Sequence, residues 1–454
     1  MGNLLSSLLT VADSMEVFQR ALSVSQNNVT NASTPGFVRQ RLSLEPKPFN
    51  LDLRLPGGVA AGSLISSREE YLEEGVRLQT QRLGRNSQQV ADLAQVEPVF
   101  DITQNAGIAG AMDRLFQSFS QLSVTPNDTP TRQTVINRAV EVANAFNYTS
   151  AALSRVSGNG DRELRNTVDA INRVATRLRD FNTEIRRDYR NASNPGLDAQ
   201  IHSTLEELSE LVDFTVLRQK DGTMSLYVGG QTPLLVGDRL FPLQANLSGS
   251  SAQILSSGGV DITSHIQQGS LRALLDLRNT VVPTLLGDLN LLAQTLADRI
   301  NTTLAGGLDA SGQPPAVNLF AYNTAADAAR TLRVTAITEN QIAAALPAGP
   351  GGNGNALALA ALATTPQVAG NFTFTEYYGR IAGSAGRQLA NARDEQRTQE
   401  LLLSQAKSLR GEISSVSLDE EAAMVIQFQR AYEASARLVS VLNDMTDEVL
   451  DFLR

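Results

Sequence analysis

Carboxylates stand in adjacent pairs at Glu206-Glu207 and Glu420-Glu421. Two carboxyls flanking a scissile bond could serve as acid and base, as in glycoside hydrolysis. That chemistry needs them placed across a cleft. Both pairs fall on predicted helices, where capping or solvation accounts for them. No nucleophile elbow and no histidine-centred triad accompanies them. The two histidines, His202 and His265, have no ligand-like spacing and read as surface or capping residues. With no cysteine in the chain, disulfides, thiolate metal sites and a cysteine nucleophile are excluded. Gly351-Gly352-Asn353-Gly354-Asn355 lacks a following Lys-Ser/Thr pair and a leading apolar strand, so it reads as a helix-entry turn rather than a phosphate loop. Arginines 173, 177, 179, 186, 187 and 190 could suit a polyanion. Asp169, Asp180 and Glu184 lie three or four residues from Arg173, Arg177 and Arg187, which makes a solvated helical face the better reading. No catalytic, cofactor-binding or metal-ligating residue is predicted.

Composition narrows the function classes further. A chain of 454 residues should hold two to four domains, at ~100–200 residues each. The 38 basic residues are scattered among 47 acidic ones, for a net charge of −9, which argues against nucleic-acid and anionic-membrane partners. No uncharged apolar run reaches the ~18 residues of a membrane-spanning helix. The first residues lack the basic and apolar regions of a Sec signal. Aromatics make up 5% and tryptophan is absent, which argues against a carbohydrate-stacking cleft.

What the sequence specifies most clearly is two apolar helices. From Ser417 the chain reads as one uninterrupted helix with a capping box (Ser417, Glu420) and three acids in its first turn. Its positions Val425, Phe428, Tyr432, Ser435, Val439, Leu442, Thr446, Val449 and Leu453 alternate in steps of three and four, the seam of a coiled coil. Ile426, Leu438, Met445 and Phe452 widen that seam beyond what a lone surface helix carries. Leu4, Leu8, Val11, Met15, Phe18, Leu22, Ser25 and Val29 follow the same alternation near the other end. These seams predict that the two helices pair and then pack on other subunits. Antiparallel pairing with Leu4 near Leu453 would set Ser25 near Tyr432–Ser435.

Between them lie predicted helices over 68–96, 110–122, 131–156, 162–190, 269–304 and 374–410, a loop over 57–62 and a strand over 331–338. Pro283 should kink its helix and Gly411 should break the last one. Long helices joined by short loops imply a bundle or rod. Strand-like runs at 214–217, 225–228 and 234–236 with an Asp221-Gly222 hairpin turn mark a small β-rich insertion. The expected fold is mainly α with a smaller β-rich part. Residues 1–36 with 417–454 form a terminal coiled-coil domain, 37–211 with 265–416 a helical rod-like domain, and 212–264 an inserted β-rich domain. The loop-rich stretch 305–370 could belong to the insertion.

The string after the first helix is Asn27-Asn28-Val29-Thr30-Asn31-Ala32-Ser33-Thr34-Pro35-Gly36-Phe37-Val38-Arg39-Gln40: a helix stop, a turn and an extended exit. At Asn27, Asn28, Asn31, Thr34, Pro35, Gly36, Phe37, Arg39 and Gln40 it closely resembles the signature of bacterial flagellar axial proteins. Thr30 departs from it, since that family usually has alanine there. Ser417, Asp419, Glu420 and Glu421, then Phe428, Gln429, Ala431-Tyr432 and Ala434-Ser435-Ala436, then Asn443 and Met445, look like the C-terminal signature of the hook-associated branch. Asn301, the Gly306, Asp309 and Gly312 pattern, and the helix entered at Asn355-Ala356 are similar as well. The resemblance implies a secreted structural subunit of the extracellular flagellum at the hook–filament junction, exported unfolded through the type III apparatus. It implies self-association in a ring or tube and contacts with hook protein and the next junction protein. It also implies an export chaperone and no cofactor. A rod, hook or filament subunit is the alternative within this class, and a flagellum-associated peptidoglycan hydrolase the alternative outside it.

Overall fold

The computed structural model describes residues 2–48, 57–100 and 107–451. The fold is mainly helical with a few small sheets. In chain order the helices are α1 (Gly2–Thr30), α2 (Glu70–Val96), α3 (Gly107–Val124), α4 (Thr129–Arg187), α5 (Pro195–Leu211), α6 (Ser270–Asp276) and α7 (Val282–Ala305). They continue as α8 (Ala328–Thr331), α9 (Gly354–Ala361), α10 (Phe374–Ser414) and α11 (Leu418–Asp451). The strands are β1 (Gln40–Pro46), β2 (Val59–Ser66), β3 (Phe214–Arg218), β4 (Met224–Val228) and β5 (Thr232–Val236). Shorter ones follow: β6 (Arg239–Leu240), β7 (Gln244–Asn246), β8 (Gln253–Leu255), β9 (Phe320–Ala321) and β10 (Arg333–Val334).

Two compact units divide the chain: residues 1–83, 171–242 and 399–454 make the first, and 84–170 and 243–398 the second. In the first, α1 packs along α11, and the antiparallel hairpin β1–β2 lies against α1. A four-stranded antiparallel meander, in the order β3-β4-β5-β6, packs on the last third of α4. Asn182 fixes that packing. It is fully buried, its Oδ1 accepts from Met224 N at 2.9 Å, and its Nδ2 donates to the Met224 and Gly237 carbonyls, each at 2.7 Å. A buried amide satisfied this way locks one register, because any slip would strand its polar atoms. The Asp221-Gly222 turn joins β3 to β4 as predicted, with Asp221 Oδ1 accepting from Thr223 N at 3.0 Å.

The second unit holds the larger apolar core, drawn from α3, the first part of α4, α7, α9 and the start of α10. Phe116 stacks on Phe374 with centroids 5.9 Å apart, and the Tyr377 hydroxyl donates to Asp288 at 2.9 Å. Asn301 exchanges two hydrogen bonds with the Phe320 backbone, at 2.8 and 3.0 Å. Asp309 accepts from Ser311 N and Gln313 N, closing the turn that Gly312 completes at φ +73°.

Several sequence expectations change. α4 runs 59 residues without a break, ~90 Å at ~1.5 Å per residue, through the glycines at 158 and 160 that were expected to end a helix. A Cβ at Gly160 would come within 3.0 Å of Leu277 Cδ2, so close packing selects this glycine and the helix absorbs its ~1 kcal/mol propensity cost. α10 likewise passes Gly411 and stops only at Ser414. The stretch 57–62 contributes to β2, whereas the strand expected over 331–338 shrinks to Arg333–Val334. Pro283 sits in the first turn of α7, and the widened π turn Leu277–Val281 before it makes room for the ring that an ordinary turn would strike.

Candidate assembly interface

Most polar residues of the Asn27–Gln40 string have a geometric task. Asn28 is 1% exposed and trades two hydrogen bonds with the Gln40 backbone, Nδ2 to O at 2.8 Å and N to Oδ1 at 3.0 Å. This ties the end of α1 to the start of β1. Asn31 donates to the Asn27 carbonyl at 3.0 Å and accepts from Thr34 Oγ1 at 3.2 Å, so the turn is capped by its own side chains. Pro35 leads into Gly36, whose φ is +75° and whose missing Cβ would otherwise lie 2.5 Å from the Ala199 carbonyl oxygen on α5. Phe37 is half-buried. Arg39 then joins four segments. Its N–H donates to Ser414 O at 3.0 Å, its carbonyl accepts from Ser67 N at 2.9 Å, its Nε meets Glu421 Oε1 at 2.6 Å, and its Nη1 bonds Glu420. Glu420-Glu421 is therefore the receptor for Arg39. Ser417 keeps half of the predicted capping box, accepting from Glu420 N at 3.4 Å.

α1 packs along α11, and most of the predicted seam positions are at least half-buried. Leu4, Leu8, Val11, Met15, Phe18 and Leu22 are half-buried on α1, as are Val425, Val439, Leu442 and Val449 on α11, while Phe428 is buried. Val29 and Tyr432 stay 40% and 38% exposed. The deepest residues of α1 are Val17, Ala21, Ser25 and Asn28, a stripe of smaller side chains beside Phe18 and Leu22; Ser25 was expected on the seam, Val17 and Ala21 were not. Ala21 and Ser25 share a cavity of about 380 Å³ with Glu421, Met424 and Phe428, so the end of α1 meets the start of α11 and the helices run antiparallel. Ser25 thus lies nearer the start of α11 than Tyr432–Ser435. Leu453 and Phe452 fall outside the described residues. On the outer side, Leu5, Leu9, Ile426, Leu438, Val441 and Met445 remain 48–60% exposed.

A second polar cluster in the same unit was not anticipated. Glu73 is 1% exposed and meets Arg68 and Arg410; Arg68 Nε also reaches Asp198 at 2.7 Å, and Arg410 also bonds Glu206. His202, expected at the surface, is 2% exposed within this cluster. Arg218 Nη2 lies 2.7 Å from its Nε2; a guanidinium can only donate, so Nε2 accepts and the proton sits on Nδ1, 3.8 Å from Glu73 Oε2. Burial, then the charges of Arg68, Arg218, Arg77 and Arg410, push the imidazole far below its usual range and keep it neutral. Glu207 pairs with Arg177, and Arg179, Arg186 and Arg190 pair with Asp180, Asp238 and Asp188. Four of the six arginines are thus ion-paired at the surface, and the three pairings expected from spacing, of Arg173, Arg177 and Arg187 with Asp169, Asp180 and Glu184, are not among them. Among the described residues no group of three His, Asp or Glu could hold a metal, and no helix is long and apolar enough to cross a membrane.

Sequence comparison places this chain, with its paired and clasped terminal helices, among the axial proteins of the bacterial flagellum. The profile of the flagellar hook-associated protein FlgK helical domain matches residues 93–320, and that of the flagellar basal body rod FlgEFG protein C-terminal region matches 408–452. The chain belongs to the flagellar hook-associated protein FlgK family. It is 28% identical to flagellar hook-associated protein 1 of Bacillus subtilis, over 98% of this chain and 97% of that one. The protein of that name in Escherichia coli is 23% identical, over 98% of this chain and all of that one. The flagellar hook junction protein FlgK of Burkholderia pseudomallei shares the fold at a TM-score of 0.68 with 16% identity, covering 76% of this chain and all of that one.

Proposed function

We infer that this chain is a structural subunit of the bacterial flagellum, the adaptor between hook and filament on which filament assembly depends. Family membership supports the class. The single structural observation that carries the role is the α1–α11 pair: its seam is filled from within the chain, yet its outer flank keeps large apolar residues in solvent. Burying such a side chain is worth ~1.5–3 kcal/mol, so this flank favours packing into a tube wall. The terminal helices, residues 1–36 and 417–454, act as the assembly domain, and residues 37–211 with 265–416 and the insertion 212–264 present the surfaces matched to hook protein and junction partners. Partners on this reading are further copies of the chain, hook protein on one side and the next junction protein on the other, with a chaperone during export. The site of action is the extracellular flagellum. The acidic pairs are taken up by Arg39, Arg177 and Arg410, which supports a role without catalysis.

The C-terminal profile is shared with rod proteins, so a rod or hook subunit is the competing reading. Deletion of the gene, with electron microscopy of the cells and an assay of filament protein in the medium, separates them. Complete hooks without filaments, and filament protein lost to the medium, are expected. Missing hooks would move the assignment to rod or hook, and normal filaments would refute both.

A further inference from the structure

We propose that the open edge of β3, with the cleft between it and α2, takes up an extended segment of a partner protein in which apolar and basic side chains alternate. The inference does not depend on the junction role. Gly229 N donates to Asp213 O at 3.1 Å and Gln219 N to Thr223 O at 2.8 Å, and these two bonds fix the phase of the β3–β4 ladder. Odd-numbered residues of β3, Thr215 and Leu217, therefore exchange hydrogen bonds with Tyr227 and Ser225. Phe214 and Val216 turn their N–H and C=O groups the other way. Among the described residues nothing bonds those groups on that side.

Edge strands are usually blunted by lysine, proline or a covering element. β3 reads Phe-Thr-Val-Leu-Arg, and its one charge, Arg218, is drawn aside to His202 and Glu70. Instead of a cover, the edge borders a cleft of about 410 Å³ lined by Glu70, Glu74, Leu78, Phe214 and Val216. Leu78 is 41% exposed there and gives an apolar wall. The reachable uncompensated charge on this wall is that of Glu74, which is exposed; Glu70, 49% exposed at its side chain, already holds the buried Arg77 at 2.7 Å and meets Arg218 at 3.6 Å. Strand addition supplies main-chain bonds to Phe214 and Val216; Glu74 selects basic side chains at every second position, with Leu78 against their methylene stems, while the apolar ones between them turn to the opposite face. The chain's own net charge of −9 favours a different, basic protein over another copy as the donor.

The test is amide hydrogen exchange on the full chain with and without the peptide acetyl-Val-Arg-Val-Arg-Val-amide, and with its Val-Glu counterpart. The basic peptide should slow exchange at Phe214 and Val216 about tenfold or more, while Thr215 and Leu217, already bonded to β4, change little. Glu74→Lys, at an exposed position, should abolish the slowing without altering the melting temperature. No slowing with the basic peptide, or equal slowing with the acidic one, overturns the proposal. Slowing that follows protein concentration with no peptide present would assign the edge to a second copy and overturn it as well.

Discussion

Arg39 and Glu421 stand 382 positions apart in sequence and meet at 2.6 Å, with side chains 10% and 2% exposed. The pair joins the exit from α1 to the entry into α11, so the clasp and the assembly helices are one construction. The guanidinium also bonds Glu420, and its backbone ties β1 to the end of α10 and the start of α2.

Arg39→Met should therefore destabilise the chain by ~3–5 kcal/mol, because it leaves the Glu421 carboxylate buried without a counter-charge. Adding Glu421→Met should recover a large part of that loss, since the uncompensated charge is then gone. Denaturant unfolding of wild type, both single variants and the double variant gives the coupling directly. A double variant no better than Arg39→Met would show that the ion pair is not what Arg39 contributes.

The outer flank of the helix pair is expected to matter to assembly and not to the isolated chain. Ile426 and Leu438 are 52% and 54% exposed, so Ile426→Lys with Leu438→Lys should change unfolding free energy by no more than ~1 kcal/mol in all. Filament formation in cells should fail, since two side chains worth ~1.5–3 kcal/mol each no longer bury apolar surface between subunits. Normal filaments from a variant of normal stability would remove this face from the interface.

How far the sequence was legible follows from the range of the interactions. The 3–4 spacing of Val425–Val449 is local, and apart from Tyr432 its positions are at least half-buried in the fold. Asp221-Gly222 foretold a hairpin because a turn is decided by its own residues. The partners of Glu420-Glu421 were not legible, as nothing near them in sequence points to Arg39. His202 looked like a surface histidine because the arginines and Glu73 that enclose it come from α2, β3 and α10. Gly160 misled for a related reason: glycine also serves close helix contact, and the neighbour it packs against, Leu277, is 117 residues away; Gly158 has open space beside it and no such reason. Within α1, buried Ala21 was not legible, since a small residue adds little to an apolar count, whereas Ser25 stood out because the 3–4 alternation runs through it.

His202 gives the first unit a predictable response to acid. In the unfolded chain its imidazole takes up a proton near pH 6.5, whereas in the fold it stays neutral. Below that pH the unfolded state binds more protons, and stability falls as pH drops. His202→Gln keeps an acceptor for Arg218 and cannot titrate. Between pH 7 and pH 5 the wild type should lose up to ~2 kcal/mol more than this variant. Parallel pH profiles would mean that the imidazole is protonated in the fold.

Asp92 should act in the opposite direction, in the second unit. It lies on α2, 4% exposed, with Oδ1 accepting from Gln88 at 2.9 Å and Oδ2 without a hydrogen-bond partner among the described residues. Burial, opposed by the Gln88 bond and reinforced by Glu163, raises its pKa to about 7. The folded chain thus holds a proton that the unfolded chain releases near pH 4. Stability attributable to this group falls as pH rises from about 4 to 7 and stays low above it. Asp92→Asn removes the charge while keeping size and the hydrogen bond, so it should stabilise the chain by up to ~4 kcal/mol at pH 8 and by little at pH 4. Because its slope opposes that of His202, the wild type can look insensitive to pH between 5 and 6.5 while each single variant is not. Unfolding of Asp92→Asn, His202→Gln and the double variant across that range separates the two. A gain for Asp92→Asn that is the same at pH 4 and pH 8 would exclude titration as its cause.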